Sequence, residues 1–584
     1  MSSRSPIRAL MALCLIVNLL GSPVFLGAQD GSSDVPGITI RANTRLVVLD
    51  VVVTDKKGQP VTGLKADDFT VEENGKKQKI SVFTAPGAAA ANLGTTAPPG
   101  VLSNHPADVG PKTGAVTVLL LDAANSPFKD QSYARSQMLK YVLEQGKSGH
   151  PMAVFTLTDQ LHVLQQFTSD PQVLMTAIRR FRPEEQILRA GAPPPESHGG
   201  ADDRGGNLGS SIQLAQAALQ GFADLQIGFN LERRTQITVA AMESLARLLG
   251  GLPGRKNVVW LTSSLPFDLI PEDRNITDAE LMADLPGQGR QRSVSVNAAG
   301  TYASEARQLH GGEIKEAEAQ LASAGIAIYP VDLTGLMSGM ESSANRGGSV
   351  YSDTAISDRA GSTMSVQQAN QGTMEEVAAE TGGQAYKNQN EIKDGISLAV
   401  ADEKASYSLG YYPDNKKWDG KFRSLKVKLD HHDVQVRYRK GFFAVDPGLD
   451  KKANFESDVA TALEVNAPYT QISFMAQAKP TDAGKVRVVF LVDAHTLSAE
   501  DAGANKRINA NFYAAMYDAN GKSLTVRSMK VDRAFDGATY QQLLAKGVMA
   551  PIDMDMPAGT KEVRLAVLDN RTGYIGTVSG PVGQ

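Results

Sequence analysis

The chain has 584 residues, 42% hydrophobic and 21% charged, which is ordinary globular composition. That length suggests about three or four domains. Its 59 basic and 63 acidic side chains leave a net charge near -4 with no basic stripe, which argues against nucleic acid as the main partner.

At the N-terminus, Arg4 and Arg8 precede an apolar run from Ala9 to Leu20, followed by Gly21, Ser22 and Pro23 and by small residues at Gly27 and Ala28. This order predicts a signal peptide over residues 1–28, with the mature chain starting at Gln29. The apolar run is about half as long as a spanning helix requires, so no stable membrane span is expected after cleavage. The expected location is outside the cytoplasm: periplasmic, cell-surface or secreted. Cys14, the only cysteine, lies inside this segment and follows Leu13, where a lipid-modification site needs a small residue. The mature chain therefore has no thiol for disulfides, metal ligation or nucleophilic catalysis.

Residues 36–85 read as a small β unit. A β-branched run, Arg45 to Thr54, is followed by an alternating strand, an Asn74-Gly75 hairpin turn and a further strand. Residues 86–114, rich in Ala, Gly, Pro and Thr, read as a linker. Over 115–404 strands and helices then alternate. Strands are expected at 115–122, 152–158, 161–168, 257–262 and 326–332, with helices at 130–145, 170–181, 236–249 and 302–324. This pattern predicts an α/β domain, a mostly parallel sheet with helices on both faces. Three polar stretches, 184–234, 265–300 and 335–371, read as surface insertions. A short helix stopped by Gly382 and Gly383, a strand, and a last helix within "NEIKDGISLAVADE" close the layer.

Residues 405–446 turn to β character, with "SYSLGYY", "SLKVKLD" and "VQVRYRKGFF" expected as a three-stranded meander that packs with the strands of 36–85. Residues 452–584 add strands spaced by turns such as Ala519-Asn520-Gly521, the pattern of a C-terminal β-sandwich.

In an open parallel sheet, sites form beyond the carboxyl ends of the strands, where strand order reverses. "TVLLLDAANSP" ends an apolar strand on Asp122, Asn125 and Ser126. Ser263 and Ser264 end another strand, Asp332 ends a third, and Thr235 and Thr238 lie at the start of a helix. Oxygen ligands converging from these segments suit a hard cation such as Mg2+ or Ca2+.

"LLLDAANSP" resembles the first motif of von Willebrand factor A domains, Asp-x-Ser-x-Ser, part of a metal-ion-dependent adhesion site. With "GLPGRKNVVWLTSS", "AGIAIYPVDLTGL", "ETGGQAY" and "YSLGYYPDNKKWDGKFRSLKVKL", the chain is similar over roughly residues 40 to 445 to an exported family of acidobacterial von Willebrand factor A-related proteins. The resemblance implies a Rossmann-like domain with flanking β-sandwiches. It also implies a degenerate metal site at Asp122, Ser126 and Thr235 or Thr238, with Asn125, Ser263, Ser264, Asp268 and Asp332 on the rim. Ala124 stands where the family has a serine ligand, and Thr262-Ser263-Ser264 stands where it has Thr-Asp-Gly. Weak or no Mg2+ or Ca2+ binding is expected, with Asn125 or Asp268 as the candidate compensating ligands.

Each feature has a structural counterpart. Asp122 alternatively caps the helix after Pro127 or binds loop amides, and Asp332 serves as a turn former. "GGLPGRKN" is a helix stop, because it lacks a Ser or Thr after the lysine and precedes a strand. His431 and His432 are adjacent on a strand edge and make a poor metal pair. No His-Glu-x-x-His, Gly-x-Ser-x-Gly or Gly-x-Gly-x-x-Gly motif occurs. The expected function is a non-catalytic, adhesion-type module binding a protein or surface polymer through this rim. The alternatives are a cell-envelope scaffold and an unrecognised hydrolase.

Overall fold

The computed structural model describes residues 46–87, 97–110, 116–145, 150–183, 208–266, 312–335 and 367–582, apart from a few short internal stretches, and side chains in the long helix from residue 229 onward. The proposed signal peptide and Asp268 lie outside the described residues. Among described residues no helix is long and apolar enough to cross a membrane.

The chain is mixed α/β and multi-domain, with five sheets among the described residues. Its central sheet has the order Ile326–Asp332, Lys256–Thr262, Val116–Asp122, Met152–Leu157, Leu161–Thr168. The first four strands are parallel, and the edge strand Leu161–Thr168 is antiparallel to its neighbour. Every residue of Val116–Asp122, Lys256–Thr262 and Ile326–Asp332 is buried, as expected of strands covered on both faces. Alternation along the strands serves two cores. Val118, Leu120, Val258 and Trp260 face Met242, Leu245, Leu249 and Leu321, while Leu119, Leu121, Val259 and Leu261 face Met138, Val142, Leu174 and Ile396. The helices Phe128–Gln145, Pro171–Arg180 and Ile392–Glu403 form at the expected places, the second capped by the Asp170 carboxylate on the Gln172 and Val173 N–H groups.

Five expectations are modified. Residues 208–234, expected as the end of a polar surface insertion, are helical. They form the first part of one helix, Leu208–Leu249, of 42 residues, because "LGSSIQLAQAALQGFADLQIGFNLERR" has no proline and is rich in Ala, Leu and Gln. The stretch 335–371 likewise ends inside a helix that runs to Thr381. Beyond Gly383 the expected strand is reduced to one bridge, Tyr386 to Val331.

The linker 86–114 is not merely a spacer. Leu102–Ser103 pairs with Phe474–Thr481 of the C-terminal sandwich. Buried Asn104 donates to the Tyr469 and Ile472 carbonyls at 2.7 and 2.8 Å and accepts the Phe474 N–H at 2.8 Å. One amide side chain thus satisfies three backbone groups that would otherwise be buried without partners.

Residues 405–446 are not a meander. Ser406–Tyr411 lies between Val47–Asp55 and Ile80–Thr84, whereas Phe422–Leu429 lies between Phe69–Glu73 and Gly441–Phe443 in the facing sheet. The N-terminal β unit and 405–446 therefore interleave as one sandwich around Leu49, Val51, Phe69, Tyr407 and Leu425. Asn74 and Gly75 take φ of 47° and 77°, which the two-residue hairpin turn requires. The C-terminal sandwich packs Phe474–Thr481, Lys485–Val492 and Val548–Asp555 against Asn505–Tyr517, Glu562–Asp569 and Ile575–Pro581.

Where the layer meets its last helix, His150 Nε2 lies 3.3 Å from Glu403 Oε2 and 3.0 Å from Thr117 Oγ1. Burial brings the imidazole down to about 4, with Lys404 adding to the effect, and pushes the carboxyl up to about 7 against the pull of Lys404. Burial, aided by Glu403, also pushes Tyr141 up to about 12. From pH 4.5 to 6.5, the ordinary values of these two groups, the unfolded chain carries one proton on His150 and the folded chain carries one on Glu403. Their pH dependences therefore cancel over that range, although each shift remains a penalty on the folded state. Removing either partner exposes the other. Glu403→Gln should lose stability as pH falls from 6.5 through about 4, and His150→Gln should lose it as pH rises from 4.5 through about 7. Each change should reach about 3 kcal/mol. Urea denaturation of both variants across this range should give opposite slopes, and parallel profiles would exclude the assignment.

Candidate functional site

Strand order reverses at Val116–Asp122. The chain moves from there to Met152–Leu157 on one side and later returns to Lys256–Thr262 on the other. Asp122 ends the strand at this crevice, and Asp332 and Thr262 are paired across the next two strands. The loop after Asp122 is pinned by the Ala123 and Ala124 N–H groups, which donate to the Leu157 carbonyl at 2.8 and 2.9 Å.

Asp122 is fully buried and surrounded by donors. Its Oδ1 accepts the Asn125 N–H at 2.9 Å, and its Oδ2 accepts Asn125 Nδ2 and Trp260 Nε1, each at 2.9 Å. Thr262 Oγ1 stands 3.0 Å from Oδ2 and 2.8 Å from the Ser264 carbonyl, and its single proton serves one of them at a time. Burial pushes the Asp122 carboxyl above its ordinary range, while the hydrogen bonds from Asn125, Trp260 and Thr262 pull the other way.

Asn125 joins the strand end to the long helix. Its Nδ2 also donates to Thr238 Oγ1 at 3.0 Å, and its Oδ1 accepts Arg234 Nε at 2.9 Å. Arg234 Nη2 donates to Ser264 Oγ at 3.1 Å, and that hydroxyl donates to the Asn125 carbonyl at 3.2 Å. Thr238 Oγ1 donates to the Arg234 carbonyl at 2.8 Å. Thr235 Oγ1 lies 3.0 Å from the Leu231 carbonyl and 3.2 Å from that of Pro266. Ser126 Oγ accepts the Ser263 N–H at 3.0 Å, and Ser263 Oγ donates to Asp130 Oδ2 at 2.6 Å.

Asp122, Asn125, Ser126, Thr235, Thr238, Ser263 and Ser264 therefore gather at one rim. Asp332 builds its own loop instead: Oδ1 accepts the Thr334 N–H at 2.9 Å and its hydroxyl at 2.6 Å, and Oδ2 accepts Gln371 Nε2 at 3.0 Å. This is the turn-forming alternative.

Mg2+ and Ca2+ require several oxygen lone pairs directed at one point. Here the Asp122 oxygens accept three N–H groups, Ser126 Oγ accepts the Ser263 N–H and Thr238 Oγ1 accepts Asn125 Nδ2, so these lone pairs are already turned to donors. The Arg234 guanidinium stands beside Asn125 Oδ1, so a second cation there would meet a like charge. The expected weak metal site at Asp122, Ser126, Thr235 and Thr238 does not fit this donor set. Among described residues no cluster of three or more His, Cys, Asp or Glu side chains is suited to a metal ion.

Reading the sequence missed Arg234, Trp260, Thr262, Asp130 and Gln371. For Trp260 and Thr262 a signal existed, since residues two apart on a strand share a face. Arg234 lay at the end of a stretch read as a polar insertion.

No known protein-family profile matches the chain, and no curated protein matches it. Among solved structures, an aerotolerance-related membrane protein from Bacteroides fragilis is 11% identical, with 50% of this chain and 100% of that one covered and a TM-score of 0.21. The three N-terminal domains of the type V pilus tip protein Mfa5 from Porphyromonas gingivalis are 10% identical, covering 92% of this chain and 78% of that one at a TM-score of 0.20. An endonuclease/exonuclease/phosphatase from Beutenbergia cavernae is 8% identical, covering 31% of this chain and 38% of that one at a TM-score of 0.12. At these scores the likenesses carry no argument about function.

Proposed function

We propose that the chain is an exported, non-catalytic binding module built around a Rossmann-like von Willebrand factor A domain, taking a protein or surface polymer at the Asp122 rim. One observation supports this reading above the others: the ends of two long polar stretches are fastened at the same end of the sheet. Arg234 and Thr235, inside the long helix, bond to Asn125, Ser264 and Pro266, where the stretch 267–300 departs. Gln367 and Gln371 return the stretch 336–366 to Thr334 and Asp332. A rigid base carrying long polar segments is the usual design of a recognition surface.

An envelope scaffold is the second reading, favoured by the strand Ser523–Phe535. It pairs with Asn505–Tyr517 on one side and carries exposed Val526. Two variants separate the readings: replacement of 336–366 by a short Gly/Ser linker, and Val526→Lys. Capture of envelope proteins and polymers by the full-length chain should fall at least about tenfold with the first and stay unchanged with the second, a difference of about 1.4 kcal/mol in binding. The reverse pattern would establish the scaffold reading.

A further inference from the structure

A second polar site lies where the N-terminal sandwich meets the central sheet, away from the Asp122 rim. There a small cavity of about 10 Å³ is lined by Asp50 and Arg439 from the sandwich and by Arg255, Gly325 and Thr381 from the α/β layer. A volume of that size holds one water-sized sphere.

Arg439 is 7% exposed. Its Nη2 donates to the Val48 carbonyl at 2.8 Å, and its guanidinium stacks 5.6 Å from the centre of the Phe442 ring. Its Nε and Nη1 find no acceptor among the described residues. Buried guanidinium N–H groups without acceptors are rare, because each lost hydrogen bond to a charged donor is strongly unfavourable.

The surrounding charge is one-sided. Arg255, 3% exposed, spends its N–H groups on neutral acceptors: Asn257 Oδ1 at 2.9 Å, the Tyr329 hydroxyl at 2.9 Å and the Gly382 carbonyl at 2.6 Å. Lys256 donates to the Ala324 carbonyl at 2.7 Å; burial brings its ammonium down to about 8, so it remains largely charged at neutral pH. Asp50 is the carboxylate whose charge acts on all three cations, and one of its oxygens takes the Ser408 hydroxyl. Nearby Asp402 is held in a fork by Arg437 at 2.5 and 2.8 Å. Three cations thus surround one carboxylate not otherwise paired with a cation, which leaves two positive charges in excess. Water can accept the Arg439 N–H groups but cannot balance that charge.

We propose that this cavity is a binding site for a monatomic anion of the size of chloride, held by the Arg439 Nε–H and Nη1–H with Arg255 behind it, which joins the sandwich to the α/β layer. Phosphate and sulfate are too large for the space, and Asp50 at the lining sets the affinity low enough for exchange. Because the anion touches both domains, it binds the folded chain alone and stabilises it by mass action.

The test uses the full-length chain. At constant ionic strength, replacing potassium gluconate by potassium chloride should raise the unfolding midpoint by at least about 1 °C, saturating with chloride concentration. Arg439→Met should remove this dependence. In crystals of the unaltered protein grown in bromide, an anomalous peak should stand between Arg255 and Arg439. Equal midpoints in the two salts, a chloride effect that survives in Arg439→Met, or no bromide at the cavity would each overturn the proposal. If Arg439→Met does not fold, the titration and the bromide crystal of the unaltered chain decide by themselves.

Discussion

Asp122→Asn should destabilise the chain by about 3 kcal/mol and should not be rescued by Mg2+ or Ca2+. The carboxylate is fully buried and accepts three N–H groups from Asn125 and Trp260, with the Thr262 hydroxyl in range. An amide keeps one acceptor oxygen but turns two N–H donors toward groups that are already donors, and each buried group left unpaired costs about 1–3 kcal/mol. If Asp122 served chiefly as a metal ligand, the same substitution would leave folding intact and abolish an ion-dependent function. Thermal and urea unfolding with and without added divalent ions separates the two outcomes, and an unchanged midpoint in Asp122→Asn would overturn the structural role. Arg234→Ala should loosen the same rim without touching Asp122 directly, because it removes the hydrogen bonds that reach Asn125 Oδ1 and Ser264 Oγ.

A loss of similar size is expected at the centre of the N-terminal sandwich. Glu73 Oε1 accepts Arg423 Nη1 at 3.0 Å and Oε2 accepts the Tyr411 hydroxyl at 2.8 Å, with the two charged side chains 3% and 2% exposed. Arg423 also donates to the Asn415 and Lys417 carbonyls and stacks 5.3 Å from the Trp418 ring centre. Removing one partner of a buried pair strands the other charge, at about 3–5 kcal/mol. Glu73→Ala should therefore be severely destabilising. The double substitution Glu73→Leu, Arg423→Met should recover much of that loss, since an apolar pair needs no desolvation of charge. Urea unfolding of the single and double variants measures the coupling, and simple additivity would show that the pair does not act as a unit.

The central layer was legible in the chain because its strands and helices are set by local periodicity. The strands at 116–122, 256–262 and 326–332 each hold an apolar run, such as Val118–Leu121, Val258–Leu261 and Ile326–Val331, and residues such as Met242, Leu245 and Leu249 recur at helical spacing. The location of the rim followed from the same pattern, since ligand positions in a parallel sheet are tied to strand ends. The Asn74-Gly75 hairpin was equally local, because its positive φ angles depend on those two residues.

Tertiary structure alone decided which strands pair and what the polar side chains do. Ser406–Tyr411 and Phe422–Leu429 are near neighbours in the chain, yet they lie in opposite sheets, each hydrogen-bonded to an N-terminal strand and each turning its apolar face into the shared core. Asn104 sits in a stretch with the composition of a linker, and its three hydrogen bonds reach residues more than 360 positions away. At the rim, Asp122 and Ser126 carry the residue types of a cation site in either reading of the sequence. Whether their oxygens face an ion or N–H groups depends on Arg234, Trp260 and Asn125, which are brought together only by packing. Side-chain chemistry is a property of single residues, but the direction of a lone pair is set by the neighbours that fold against it.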